Sequence, residues 1–295
     1  MVENNKVFFA NCHNHSTYSD GEYTPEELVD IAAEKGYRAL LLTDHDTVKG
    51  QYSFQKAARK KGIMTLNACE FSSRTLNIPF HILGIDFDSE NNRIREILER
   101  GRRKQTERTA LLLSFGKERG YVKEELTMEL ACRLYPDNDY FCCSHLLNAA
   151  LRYGIYNEDE IKHIHKNVFS ASRKTVREDE ARIKEINGLY YFDGVEVVRA
   201  IVEAGGVAVA AHPGKYIGCV KPLIEAGLGG IEIRHPDCSG EQNKECEELC
   251  RELRLYRLGG TDHSSVLGSS LSDVPMSSGY ITEEEFMELY ERRLG

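Results

Sequence analysis

No apolar run in this 295-residue sequence approaches the ~20 residues that span a bilayer, so no membrane partner is expected. Met1 to Lys6 is polar and lacks the apolar core of a signal peptide. No long basic block appears, and the formal net charge is −9. Sequence-independent binding to long nucleic acid needs a basic footprint, so no long nucleic acid is expected as a partner. A small phosphorylated substrate stays open, because a few local cations or metal ions can hold one. There is no Cys-x-x-Cys pair among the nine scattered cysteines, an odd number. This argues against a disulfide framework or a thiolate metal store, and for reduced, mostly buried thiols in a cytoplasmic protein. Internal repeats and low-complexity tracts are also missing.

What is present is an ordinary globular balance, 41% hydrophobic and 29% charged, with alternating strand and helix signals. Val7–Ala10 reads as a strand. Thr24-Pro25-Glu26-Glu27 is a helix start, with Thr24 as N-cap, Pro25 as first helical residue and Glu27 completing a capping box; Gly36 stops the helix. Strands follow at Ala39–Leu42, Ile63–Leu66 and about Pro79–Gly84, with a helix over about Val48–Lys60. From Asp88 to Tyr191 the strand signal fades. Helices are expected over Asn92–Glu118, Glu124–Arg133, Ser144–Arg152, Glu158–Val168 and Glu178–Asn187. The alternation then returns, with strands at Val207–Ala211, Gly230–Ile233 and Leu255–Leu258. Helices are expected over Val195–Ala204, Val220–Ala226 and Glu241–Glu252, and a second capping box, Thr282 with Glu285, opens the last one. The pattern predicts an α/β fold with a largely parallel sheet. About seven strands make a barrel plausible, divided as barrel (1–87 and 192–295) and helical insertion or lid (88–191).

Chemistry in such folds sits at the carboxyl ends of strands, where this chain repeatedly places metal-ligand residue types. His13 and His15 lie two apart on an extended segment and can face one point. With Asp20, His45, Glu70, His81, His212, Asp262 and His263 they make six imidazoles and three carboxylates. Nitrogen and oxygen donors in that mixture suit Mn²⁺, Fe²⁺ or Zn²⁺ rather than Ca²⁺ or a thiolate site. Nine candidates exceed one tetrahedral ion, so two or three divalent ions are expected, with Mn²⁺ preferred and a carboxylate such as Glu70 or Asp262 as bridge.

The strings CHNHSTYSDGEYTPEELVDIAAEKGY, LLLTDHDT, ACEFS, FHILGID, AVAAHPGKY and GGTDHS resemble the PHP (polymerase and histidinol phosphatase) superfamily. QTERTALLLSFGKERG, in the middle region, resembles the helix of its stand-alone phosphoesterases. The resemblance implies a distorted (β/α)7 barrel with a helical insertion. It implies one ion held by His13, His15, Glu70 and Asp262, and a second by Glu70, His81 and His212. A third would be held by Asp20, His45 and His263. The usual last motif is Asp-x-His; here Asp262 and His263 are adjacent, and neighbours diverge on a strand, so the third site is expected to depart from the family pattern. Where relatives carry an Arg-Pro-His-like element, this chain has Cys143-Ser144-His145. Ser144, His145, Arg173, Lys174, Arg177, Arg234 and His235 are the expected substrate contacts, with His145 or His235 assisting the attacking water.

The resemblance implies a phosphoric ester hydrolase acting on a small phosphorylated ribose compound. The leaning is towards 5-phosphoribosyl 1,2-cyclic phosphate, cleaved first as diester and then as monoester. Alternatives are a nucleoside 3′,5′-bisphosphate 3′-phosphatase that trims short RNA, or a histidinol phosphatase. A non-catalytic binding module is the reading from another class. Such modules lose ligands, and this chain keeps nearly all of them.

Overall fold

The computed structural model describes residues 8–169, 192–263 and 280–292. Eight short strands and ten α-helices are described. In order they are β1 (Ala10–Asn11), α1 (Pro25–Lys35), β2 (Ala39–Leu40), α2 (Gln51–Lys61), β3 (Ala68–Thr75) and β4 (Ile78–Ile85). Next come α3 (Asn92–Glu118), α4 (Met128–Leu134), α5 (Cys143–Arg152), α6 (Glu158–Ile164) and β5 (Phe192–Asp193). The chain then runs through α7 (Gly194–Glu203), β6 (Val207–Ala210), α8 (Val220–Glu225), β7 (Gly230–Arg234), α9 (Gly240–Leu253), β8 (Tyr256–Gly259) and α10 (Glu283–Glu291).

Local signals act as read in several places. Thr24 caps α1 and Glu27 reaches back to its N–H, while Gly36, at φ 85°, ends the helix in the left-handed region. Thr282 and Glu285 form the same box at α10. Helix α3 has the expected bounds. The helix foreseen over Glu158–Val168 forms as α6 followed by one π-helical turn, His165–Phe169. The helix foreseen over Glu178–Asn187 lies outside the described residues.

The sheet departs from the parallel expectation at β4. Strands β3 and β4 form an antiparallel hairpin, and β4 pairs antiparallel with β6; β6, β7 and β8 are parallel. The hairpin turns on Leu76 and Asn77, both in the left-handed region at φ 50° and 63°. Two consecutive positive-φ residues suit the twist of a tight hairpin, but without a glycine the turn carries no strong sequence signal. The foreseen strand over Ile63–Leu66 shrinks to a bridge between Met64 and Ala39, and pairing starts at Ala68.

The six-stranded sheet runs β5-β3-β4-β6-β7-β8, beside the β1-β2 pair. Bridges join His45 to Glu70 and Asn14 to His263, and the Cys12 N–H donates to the Gly259 carbonyl at 3.0 Å. The result is a mixed α/β fold consistent with a TIM-like barrel. Leu41, Leu83, Val209 and Leu258 belong to one buried apolar cluster, and Phe71, Ile82, Val198 and Ile231 to another on alternate positions of the same strands and the helix Gly194–Glu203. Helices α3 to α6 bury a separate cluster that includes Leu112, Leu146, Ile161 and Val168. No helix among the described residues is long and apolar enough to cross a membrane.

Candidate metal centre

Glu70 stands at the middle of the site. It lies inside β3, fully buried, and its two oxygens face different sets of imidazoles. Oε2 is 3.2 Å from His13 Nε2, 3.2 Å from His15 Nε2 and 3.1 Å from His45 Nδ1. Oε1 is 2.9 Å from His81 Nδ1 and 3.2 Å from His212 Nε2. Asp262 divides in the same way. Its Oδ1 is 2.9 Å from His15 Nε2 and its Oδ2 is 3.1 Å from His235 Nε2. Asp20 Oδ1 approaches His15 Nδ1 at 3.5 Å and His45 Nε2 at 3.8 Å.

The backbone brings these residues together by turning at strand ends. His212, just after β6, and Asp262, just after β8, sit at φ 30° and 46°. Non-glycine residues at such angles are strained, and strain of this kind concentrates at functional sites. Gly260 lies so close to the His13 backbone that a Cβ there would fall 2.3–2.7 Å from His13 atoms. Gly21 is as restricted, since a Cβ would meet the His15 carbonyl oxygen at 2.0 Å. Only glycine allows these two approaches.

The donor set fits divalent ions. His13 Nε2, His15 Nε2, His45 Nδ1, His81 Nδ1 and Glu70 Oε2 are buried and make no hydrogen bond. Buried polar atoms are nearly always satisfied. Five unsatisfied ligand-type atoms aimed at common points are accounted for by shared cations. Among the described residues, five groups have ligand atoms within 4.8 Å of one another: His13, His15, Glu70 and Asp262; His45, Glu70 and His81; His15, Asp20 and His45; His212, His235 and Asp262; and His13, Glu232 and His235.

Electrostatics within the cluster follow the same contacts. Burial opposes charge on His13, yet Asp262, Glu232 and Glu70 raise its pKa well above the ordinary histidine value. Burial likewise opposes charge on Glu70, and His45, His81 and His13 overcome it, holding the carboxyl well below the usual range. Asp262 is held down by His13, His15 and His235 in the same way. His45 behaves oppositely: burial dominates and lowers it to about 4, favouring the neutral imidazole that ligates metal.

Two supporting carboxylates were not foreseen. Glu232, fully buried in β7, lies 3.2 Å from His13 Nδ1 and accepts the His212 N–H at 2.9 Å. It fixes the orientation of one ring and the backbone of another, the usual work of an outer-shell carboxylate. An acid flanked by isoleucines in an apolar strand was the available signal. Asp44 accepts the Ser16 N–H at 2.7 Å and the Ser16 and Ser19 hydroxyls at 2.6 Å each, organising the loop between His15 and Asp20.

Several expected residues lie elsewhere. His263 does not join the cluster. Its Nε2 is 3.5 Å from Glu22 and its ring stacks on Tyr23, because it points away from its neighbour Asp262. Arg234 turns from the mouth into a bidentate pair with Glu285, at 2.8 and 3.0 Å. The register between β7 and β8 shifts between Glu232 and Arg234, and such an irregularity re-aims a side chain that simple alternation places on the same face. Ser144 is buried. His145 is buried with both ring nitrogens engaged: Nδ1 accepts the Cys142 N–H at 3.1 Å and Nε2 lies 3.2 Å from the Thr17 carbonyl. Burial lowers its pKa to about 4. Arg173, Lys174 and Arg177 lie outside the described residues. His235 does reach the cluster. Its Nδ1 accepts the Asp237 N–H at 3.1 Å, so in the neutral ring Nε2 carries the proton and donates to Asp262.

The family model described as PHP domain matches residues 11–199. A phosphoribosyl 1,2-cyclic phosphate 1,2-diphosphodiesterase of Eggerthella lenta is 29% identical over 260 residues, covering 87% of this chain and 94% of that protein. A 5′-3′ exoribonuclease of Haemophilus influenzae is 26% identical, with 84% and 86% covered. A 3′,5′-nucleoside bisphosphate phosphatase of Chromobacterium violaceum is 28% identical, with 85% of each covered. A solved metal-dependent phosphoesterase from Bifidobacterium adolescentis superposes with a TM-score of 0.79 at 21% identity, over 97% of this chain and 96% of that one.

Proposed function

The chain belongs to the PHP family of metal-dependent phosphoesterases, and from that premise we propose that it hydrolyses 5-phosphoribosyl 1,2-cyclic phosphate, diester first and monoester second. The observation that carries the hydrolytic reading is the division of Glu70 between two sets of imidazoles. The substrate choice draws on the Eggerthella relative, whose likeness runs nearly end to end in both chains. The strand order, with the hydrogen bond from Cys12, next to β1, to Gly259 at the end of β8, supports closure into a distorted (β/α)7 barrel. Residues 88–191 would then be its helical insertion. The free state of all nine cysteines fits the expected cytoplasmic location.

His13, His15, Glu70 and Asp262 would hold one ion, and Glu70, His81 and His212 a second, with Mn²⁺ the preferred metal over Fe²⁺ or Zn²⁺. When bound, such ions polarise phosphoryl oxygens and lower the pKa of water. The protein's own part is orientation and proton handling. Glu232 holds the His13 ring, and Asp44 shapes the approach to Asp20. His235, with its Nε2–H turned into the cluster, is the side chain we assign to the leaving oxygen of the substrate. His145 has no ring nitrogen left for that task.

The Haemophilus and Chromobacterium relatives favour a second reading, a nucleoside 3′,5′-bisphosphate phosphatase that also acts on short RNA. Parallel turnover of the cyclic ribose phosphate, adenosine 3′,5′-bisphosphate and a short RNA by Mn²⁺-loaded protein separates the two. Higher kcat/KM on the cyclic compound is expected, and preference for the bisphosphate or RNA would replace the first reading with the second.

A further inference from the structure

Three groups from one segment converge on the loop that carries Asp20. Asn138 Nδ2 donates to the Thr17 carbonyl at 2.9 Å, and His145 Nε2 meets the same oxygen at 3.2 Å. The Cys142 thiol points at the Ser19 carbonyl at 3.7 Å. The Cys142 N–H can only donate, so His145 Nδ1 is bare and, in the neutral ring, Nε2 carries the proton that Thr17 accepts. The same segment grips the other half of the group. Tyr140 stacks on His45, with ring centroids 6.5 Å apart. Asp139 pairs with Lys49 at 3.3 Å and with Arg102 at 3.2 Å, and Arg102 donates to the Asp46 carbonyl at 3.1 Å.

Resting on the metal reading above, we propose that the Asn138–His145 segment is a strut for an ion held between Asp20 and His45, with Asn138 and His145 as its positioning residues. Neither residue touches the ion. Both fix the Thr17 carbonyl, and through the short loop they set where the Asp20 carboxylate stands relative to His15 and His45. The site therefore depends on helices far along the chain from the strand ends that supply its ligands. His263, turned to Glu22 and Tyr23, does not supply that support.

The test is a Mn²⁺ titration of metal-stripped full-length protein, reading the number and affinity of bound ions. The wild type is expected to bind a third ion more weakly than the first two. Asn138→Leu and His145→Leu each remove one donor to Thr17, and should weaken the third ion about 10- to 100-fold, the usual range for outer-shell losses. The first two ions should stay within about twofold. His145→Gln keeps an acceptor for the Cys142 N–H and a donor for Thr17, and should retain the third ion. Should His145→Leu fail to fold, half-buried Asn138 still carries the test. A wild type that binds only two ions overturns the proposal. So do leucine variants that hold the third ion as tightly as wild type, or that weaken all three in step. Loss of the third ion in a protein that hydrolyses none of the three substrates would leave the strut standing and remove the substrate reading instead.

Discussion

The strand-end rim and the Asn138–His145 segment both bury histidine ring nitrogens and satisfy them in opposite ways. At the rim, His13, His15, His45 and His81 each leave a buried ring nitrogen without a hydrogen bond, facing carboxylate oxygens. In the helical segment, His145 spends both nitrogens on backbone groups. Burial does not distinguish a ligand from a brace; the partner inventory of each ring nitrogen does. His235 stands between the two regions in character, with one nitrogen spent on the Asp237 N–H and the other turned to Asp262.

That contrast can be broken most severely at Glu70. Glu70→Ala removes the acid that both sets of imidazoles share, and should abolish tight binding of two ions together. Phosphoesterase kcat/KM should fall on the order of a thousandfold or more. Loss of one ion with the other intact, by metal analysis, would show that the two oxygens act separately. Glu232→Gln is the next step down. It leaves every first-sphere ligand in place but loosens His13 and His212, so metal affinity should drop on the order of 10- to 100-fold with little change in melting temperature.

His145 offers a sharper comparison through pH. Its folded-state pKa is depressed to about 4 from the usual 6.5, so the unfolded chain takes up the proton first as pH falls. The stability it contributes is complete above pH 6.5 and is lost as pH falls from there towards 4, by up to about 3 kcal/mol. Denaturation of metal-stripped wild type and His145→Gln across that range should show the smaller loss in the variant. Parallel curves would place the titration elsewhere. The smallest effect belongs to Arg234. Arg234→Met should cost about 1–2 kcal/mol through the lost Glu285 pair, which is only half-buried on the arginine side. Activity should stay within twofold, whereas a large rise in KM would return Arg234 to the substrate.

How much of this was readable in the chain follows a physical line. The capping boxes at Thr24 and Thr282, the bounds of α3 and the ligand types just after β1, β6 and β8 are local signals, and the structure carries them; Glu70 and His81 lie within β3 and β4 instead. The Leu76-Asn77 turn was not readable, because its backbone angles are imposed by the hairpin rather than by glycine. The direction of Arg234 was hidden by a register shift that no alternation pattern reveals. His263 shows the converse: adjacency to Asp262 already implied that the two side chains diverge, and they do. The importance of Glu232, Asp44 and Asn138 lies in whom they touch, from 20 to more than 200 positions away, which no local pattern shows.

The most direct measurement is anomalous diffraction from Mn²⁺-loaded crystals. Separate peaks on the two sides of Glu70 are expected, one among His13, His15 and Asp262 and another beside His81 and His212. A single peak, or metal bound away from Glu70, would contradict the shared-carboxylate centre.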